Sequence, residues 1–349
     1  MCVCVNTRTN TGTKRFRFVL SLHKHLKRRR GESPFEIRVR RSNHLFEDTL
    51  VQMNAGYYEM MRRRLNVTYE DEIGVDAGGL TKDLFMELSR EMLSPNRKLF
   101  RKVRISEGSH YVYIFDDTSS IAQIGGESPE ARRRISGWYF CGALVAKALI
   151  ERVLMHIPLS PSIWHHIVGH AVGMRELSVE NAELVKSLNW MRENSVDNIL
   201  FETFSVTRPG SSNEIVPLIA GGDRLSVTNR NKLEYIDLIV AWHSRRKFEC
   251  ALNAFLNGFN SAVSPELVCI FTADELERLV NGDHLASSEK LREHCLYSGG
   301  FTPTSQLIEW FWLLVESMSK DERCLLLRFV TGSPKMPLDG FDPNFNIEL

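Results

Sequence analysis

Two apolar rhythms run along this chain. "FEIRVRR" (Phe35 to Arg41) alternates apolar and polar residues with a period of two, which predicts a strand. "HLFEDTLVQMNAGYYEMMRRR" has helical spacing instead, with Ser42 placed to cap it. "LNVTYEDEIGVDAGG" reads as a strand running into a glycine turn. In "LTKDLFMELSREML", Leu80, Leu84, Phe85, Leu88 and Met92 fall on one face of a helix. "ISGWYFCGALVAKALIERVLM" predicts a buried helix, and its Gly142 and Ala146 sit four apart, where small side chains let a neighbour approach closely.

The second half is mostly helical in rhythm. "SVENAELVKSLNWMREN" is amphipathic, with Leu184, Leu188 and Met191 on one side. "LSVTNRNKLEYIDLIVAWHSRR" predicts a strand, a turn at Asn229 and a helix, and "FECALNAFLNGFNSAV" a helix closed by a glycine. "FTADELERLVNG" carries Thr272 as N-cap, Glu275 three residues later as its capping-box partner, and Gly282 as a stop. "SQLIEWFWLLVESMS" and "DERCLLLRFV" form a last helical pair. Helix dominates, with short strands at intervals, so the expected class is α+β.

Composition narrows the function classes. Net charge is +1 over 349 residues, so the chain as a whole is no electrostatic magnet for nucleic acid or membrane. The charge is uneven: Lys14 to Arg41 holds eleven Lys/Arg against two Glu. A solvated helix face with a frayed end is the reading of that stretch, and a nucleic-acid partner is not expected. Residues 1–30 are expected to form a basic, partly disordered segment. Cys2, Cys4, Cys141, Cys250, Cys269, Cys295 and Cys324 are odd in number and include no CxxC pair, which argues for a reducing compartment. The longest apolar stretch is broken by Lys147, Glu151 and Arg152, too charged for a bilayer span. A soluble protein of the cytoplasm, and of the nucleus as a further location, is expected.

Local motifs offer little chemistry. "GVDAGG" precedes a helix but lacks both the GxxxxGK[ST] lysine and the GxGxxG spacing, and its Asp would repel a phosphate; a tight turn is the reading. His166 and His170 in "WHHIVGH" have a zinc-compatible spacing, but the Glu of HExxH and a third ligand are missing. Trp310, Phe311 and Trp312 suit a core helix better than a cofactor box. Neither a metal nor a cofactor is expected.

The order of the blocks says more. "RVRRSNHLFEDTLVQM", "EIGVDAGGLTKDLFMELSREMLSPNRKLF", "GWYFCGALVAKALI", "SLNWMRENSVDNILFETFSV", "LSVTNRNKLEY", "FLNGFNSAVSPELVCIFTADELERLVNG" and "LIEWFWLLVESMSKDERCLLLRFVTGSPKMPLDGF" succeed one another from about Pro34 to Phe341. In sequence and spacing they resemble the HECT domain of ubiquitin-protein ligases. The second block is the most specific.

The resemblance implies a bilobal α+β fold. Its mainly helical N-lobe, here about 31–298, would carry a small subdomain near 176–246 that docks a ubiquitin-conjugating enzyme. The C-lobe, here 299–349 and cut near its middle, would hold a cysteine that accepts ubiquitin as a thioester and passes it to substrate lysines. That cysteine would lie beyond Leu349, in a Leu-Pro…Thr-Cys-Phe stretch. Leu184, Leu188 and Met191, with Leu200 and Tyr235, would line the docking groove, and Gly299 and Gly300 in "YSGGFTP" would form the hinge. By periodicity alone the 184/188/191 stripe fits the subdomain's own core or a groove open to a partner. The implied partners are a conjugating enzyme, ubiquitin and protein substrates of unknown identity. The competing readings are a HECT-like binding module without transfer activity and an unrelated basic scaffold.

Overall fold

The first predicted strand finds its partner beyond a helix. In a computed structural model of the chain, β1 (Phe35–Val39) runs parallel to β2 (Leu65–Tyr69), with Phe35 opposite Leu65 and Val39 opposite Tyr69. A parallel pair needs a crossover, and helix α1 (Leu45–Arg62) provides it. Ile37, Val39, Leu65, Val67 and Tyr69 are buried, as the period of two requires. Ser42 does not cap α1: it has a positive φ of 59° and opens a 3-10 turn to His44, after which the helix starts without a side-chain cap. The structure describes residues 33–74, 76–105, 111–116, 128–208, 214–282, 288–331, 335–336 and 345–348; the basic segment 1–30 lies outside them.

The glycine turn after β2 is locked by one carboxylate. Asp76 accepts hydrogen bonds from the Val67 amide at 3.0 Å, the Gly78 amide at 2.7 Å and the Thr81 hydroxyl at 2.5 Å. It ties strand, turn and the first residues of α2 (Gly79–Met92) together. Burial opposes its ionisation, but the bonds from Thr81, Val67 and Gly78 outweigh that and hold the carboxyl below its usual value. The turn reading of "GVDAGG" therefore stands, with the Asp turned to its own backbone.

The antiparallel hairpin of β3 (Phe100–Arg104) and β4 (Tyr111–Phe115) comes after it. Next come α3 (Pro129–Glu151), α4 (Pro161–Val168), α5 (Met174–Glu180) and α6 (Ala182–Glu193). A short antiparallel pair, β5 (Ser205–Thr207) and β6 (Ile215–Pro217), leads to α7 (Lys232–Ser244), α8 (Glu249–Asn260), α9 (Pro265–Val268) and α10 (Ala273–Asn281). Residues Leu225 to Thr228 form only a single bridge, Thr203 to Ser226, rather than the strand their rhythm suggests. The chain continues with α11 (Ser288–Glu293), β7 (Cys295–Tyr297), α12 (Gln306–Ser317) and α13 (Lys320–Thr331), and β8 (Phe345–Ile347) pairs in parallel with β7.

These elements gather into two compact units. Among the described residues, one draws on 92–146 and 158–273, the other on 33–91, 147–157 and 274–348. In the first, Phe100, Phe115 and Phe255 pack around one another, with ring centroids 5.2 to 6.4 Å apart. In the second, the fully buried ammonium of Lys147 donates to the Arg63 carbonyl at 2.7 Å and to Glu151 at 2.5 Å. The lysine thus closes the carboxyl end of α1, where backbone carbonyls lack partners of their own. Also in the second unit, the Asn281 side chain bonds both the amide and the carbonyl of Ile157.

Candidate docking surface

The segment from α5 to α7 has a core of its own. Leu177, Val185, Leu188, Met191, Val196, Phe204, Leu218, Tyr235, Ile236 and Ile239 form one buried cluster, with Leu184 and Leu200 packed against it. The ring of Phe204 meets that of Tyr235 edge-on, centroids 5.4 Å apart. This settles which way the 184/188/191 stripe faces. Leu188 is 2% exposed, and Met191 and Tyr235 are also buried, so these three hold the subdomain together instead of lining an open groove. The physical reason is the packing of α6 against α7, which covers the apolar stripe. Burial, with the charge of Glu202 adding to it, pushes the Tyr235 hydroxyl up to about 12. Of the five expected groove residues, only Leu184 and Leu200 are partly buried.

Other apolar side chains of this segment do reach solvent. Phe201 is 90% exposed, and Ile199, Leu233 and Trp190 are exposed as well. Hydrogen bonds tie the chain on either side of Ile199 and Phe201 to the segment that leads into α7. The Asn229 side chain accepts from the Val196 amide at 2.9 Å and donates to Ser195 and Asp197 at 2.8 and 2.7 Å. The Asn229 amide donates to the other Asp197 oxygen at 2.9 Å. Lys232 donates to the Asn194 carbonyl at 2.5 Å, and the Val227 amide to the Glu202 carbonyl at 2.9 Å. The segment that presents Ile199 and Phe201 is thus clamped beside the start of α7, which presents Leu233. "TNRN" has a mechanical role in this: Asn229 clamps the loop, and Asn231 bonds the Thr228 amide and the Ser226 carbonyl. Phe201 escaped sequence reasoning because it lies outside any periodic stripe. The available signal was a large aromatic between Leu200 and Glu202 in a stretch without helical rhythm.

Gly299 and Gly300, the pair that the resemblance implies as a hinge, adopt φ of 65° and 96° in a turn, values that favour glycine. That turn does not lie between two cores, however. Leu291 and Cys295 before it, and Ile308, Trp312, Val315 and Leu327 after it, belong to one buried cluster. Trp312 donates to the Tyr297 hydroxyl at 2.9 Å, and β7 is paired with β8. A swing at the two glycines would tear this cluster. The turn is part of its framework, and residues 288–297 pack with α12, α13 and β8. In the same cluster Trp312 is buried, as a core helix requires, while Trp310 is exposed. A cavity of about 300 Å³ there is lined mainly by apolar side chains, among them Phe311, Leu326 and Ile347.

The His166 Nε2 donates to the Ser244 carbonyl at 2.9 Å, and burial pushes the ring's pKa down. Among the described residues, no group of three or more His, Cys, Asp or Glu could hold a metal ion, and no helix is long and apolar enough to cross a membrane. Burial pushes the thiols of Cys141, Cys250 and Cys295 up, away from the thiolate that a transfer step needs.

The profile of the HECT-domain (ubiquitin-transferase) family matches residues 86–349. The chain belongs to the HECT-domain family. An "E3 ubiquitin-protein ligase TOM1-like" of Neurospora crassa is 33% identical over 327 residues, covering 92% of this chain and 8% of that protein. "E3 ubiquitin-protein ligase UPL1" of Arabidopsis thaliana is 32% identical over 316 residues, covering 88% of this chain and 8% of that protein. "E3 ubiquitin-protein ligase pub3" of Schizosaccharomyces pombe is 31% identical over 306 residues, covering 87% of this chain and 37% of that protein. The HECT chain therefore spans well under half the length of these relatives. HECT ligases in general work with ubiquitin and a conjugating enzyme.

Proposed function

We propose that this HECT chain docks a ubiquitin-conjugating enzyme, as part of a ligase that passes ubiquitin through a cysteine thioester to substrate lysines. The observation that carries the docking claim is the exposed apolar rim of Ile199, Phe201 and Leu233 on a subdomain whose core is complete without them. A small self-sufficient core leaves such a rim free for a partner, and an exposed aromatic flanked by aliphatic residues is the usual anchor of a protein interface. The docking residues are thus Phe201 and its exposed neighbours, while Leu184 and Leu200 pack partly buried against the core that Leu188, Met191 and Tyr235 help to form. A cytoplasmic or nuclear location goes with this role.

The experiment is a binding titration with a panel of ubiquitin-conjugating enzymes. Phe201→Asp is expected to weaken binding about tenfold or more while leaving the melting temperature unchanged. Unchanged affinity in Phe201→Asp and Leu233→Asp would remove the rim from the interface.

A further inference from the structure

We propose that the outer half of the β3–β4 hairpin is a docking strip for an extended acidic peptide. The register puts three residue pairs on one face: Phe100 with Phe115, Lys102 with Tyr113, and Arg104 with Tyr111. The first pair is buried and stacked, and anchors the hairpin. Beyond it the same face becomes cationic and aromatic. Lys102, Arg104 and Tyr111 are exposed, and the Lys102 ammonium sits 3.8 Å above the centre of the Tyr111 ring.

The charge here is one-sided. From Leu93 to Ser106 the chain has Arg97, Lys98, Arg101, Lys102 and Arg104 and no Asp or Glu, with Glu91 and Glu107 flanking the stretch, although the whole protein carries only +1. Lys98 meets Glu130 at 3.8 Å. Among the described residues, no carboxylate forms an ion pair with Lys102 or Arg104. Two like charges on one strand face repel each other, and an anionic partner relieves that repulsion.

Geometry selects the form of the partner. Lys102 and Arg104 lie two residues apart on a strand, so their stems are separated by roughly 6.6 Å. Alternate side chains of an extended peptide have the same spacing. Among the described residues β3 is the outer strand of a two-stranded pair, a position from which a sheet accepts a further strand. Carboxylates at every second position of such a peptide would meet Lys102 and Arg104 in turn, with Tyr111 holding the lysine in place.

The test is fluorescence anisotropy on the full chain with three labelled probes: a peptide of alternating Glu and Thr, one of alternating Lys and Thr, and an oligouridine RNA. The acidic peptide is expected to bind, to weaken with salt, and to lose about tenfold in affinity in the Lys102→Glu/Arg104→Glu variant. The milder Lys102→Gln/Arg104→Gln pair, checked by thermal melting, separates loss of charge from loss of fold. Equal binding of the acidic peptide to wild type and both variants would overturn the proposal, as would equal binding of the basic peptide. RNA binding tighter than the peptide and lost in the same variants would overturn it in favour of a nucleic-acid strip.

Discussion

Gly142 and Gly258, both in the first unit, bring the backbones of α3 and α8 into contact. A Cβ on Gly142 would lie 1.9 Å from the Phe255 carbonyl oxygen, and a Cβ on Gly258 would lie 1.9 Å from that of Tyr139. Each glycine makes room for the backbone of the other's helix, so α3 and α8 cannot both keep their positions if either gains a methyl group. Ala suits a helix better than Gly by about 1 kcal/mol, but a clash with backbone is overpacking that no rotamer relieves. Gly142→Ala and Gly258→Ala should therefore each destabilise the protein, by about 2 kcal/mol net, as measured by urea unfolding. A stabilised Gly258→Ala would contradict the close packing.

Asp76 gives an acid-sensitive lock. Its folded-state pKa lies below the 3.8 of an unfolded Asp, so its contribution is present above that pH and is lost as pH falls through the folded value. Asp76→Asn keeps the size but not the charge, and should cost about 1–2 kcal/mol at neutral pH. The gap between wild type and variant, followed by urea titration at stepped pH, should close as the pH drops below 3.8. A gap constant down to the acid limit would mean the charge is not what locks the turn.

Lys147 and Glu151 form a buried pair whose members need each other. Lys147→Ala leaves the carboxylate buried without its cation and the Arg63 carbonyl without its donor, at a cost of about 3–5 kcal/mol. Lys147→Met/Glu151→Leu should recover much of that loss, because an apolar pair removes the stranded charge. Thermal melting of the three proteins checks it: a double variant no better than Lys147→Ala would show that the Arg63 bond, and not the charge pair, dominates.

Long elements were legible because their sequence carries the whole signal. The stripe in Gly79–Met92 and the glycine in the buried helix around Gly142 needed no distant information. The β3–β4 hairpin was not legible, because Arg101, Lys102 and Arg104 mask the alternation of its first strand, and the Phe100–Phe115 stack that holds it is a tertiary contact. Ser42 misled because a good capping side chain says nothing about φ. For the candidate site, periodicity correctly placed Leu184, Leu188 and Met191 on one face. It could not say that α7 would come back to cover that face, which makes Leu188 core and leaves the rim to Phe201. Gly299 and Gly300 stand out in the sequence only as a hinge implied by the resemblance, and which side their neighbours pack on depends on β8, far along the chain.

In the docking role proposed above, Phe201 stands on an exposed rim of the subdomain and Leu188 in its supporting core. Titrating a ubiquitin-conjugating enzyme into Phe201→Asp and Leu188→Ala, with hydrogen exchange on each, measures that division directly. Phe201→Asp should lose about tenfold or more in affinity with exchange protection of α6 and α7 intact, whereas Leu188→Ala should lose about 2–5 kcal/mol of stability and protection throughout the subdomain. Full affinity in Phe201→Asp, or unchanged protection in Leu188→Ala, would contradict the division into exposed rim and supporting core.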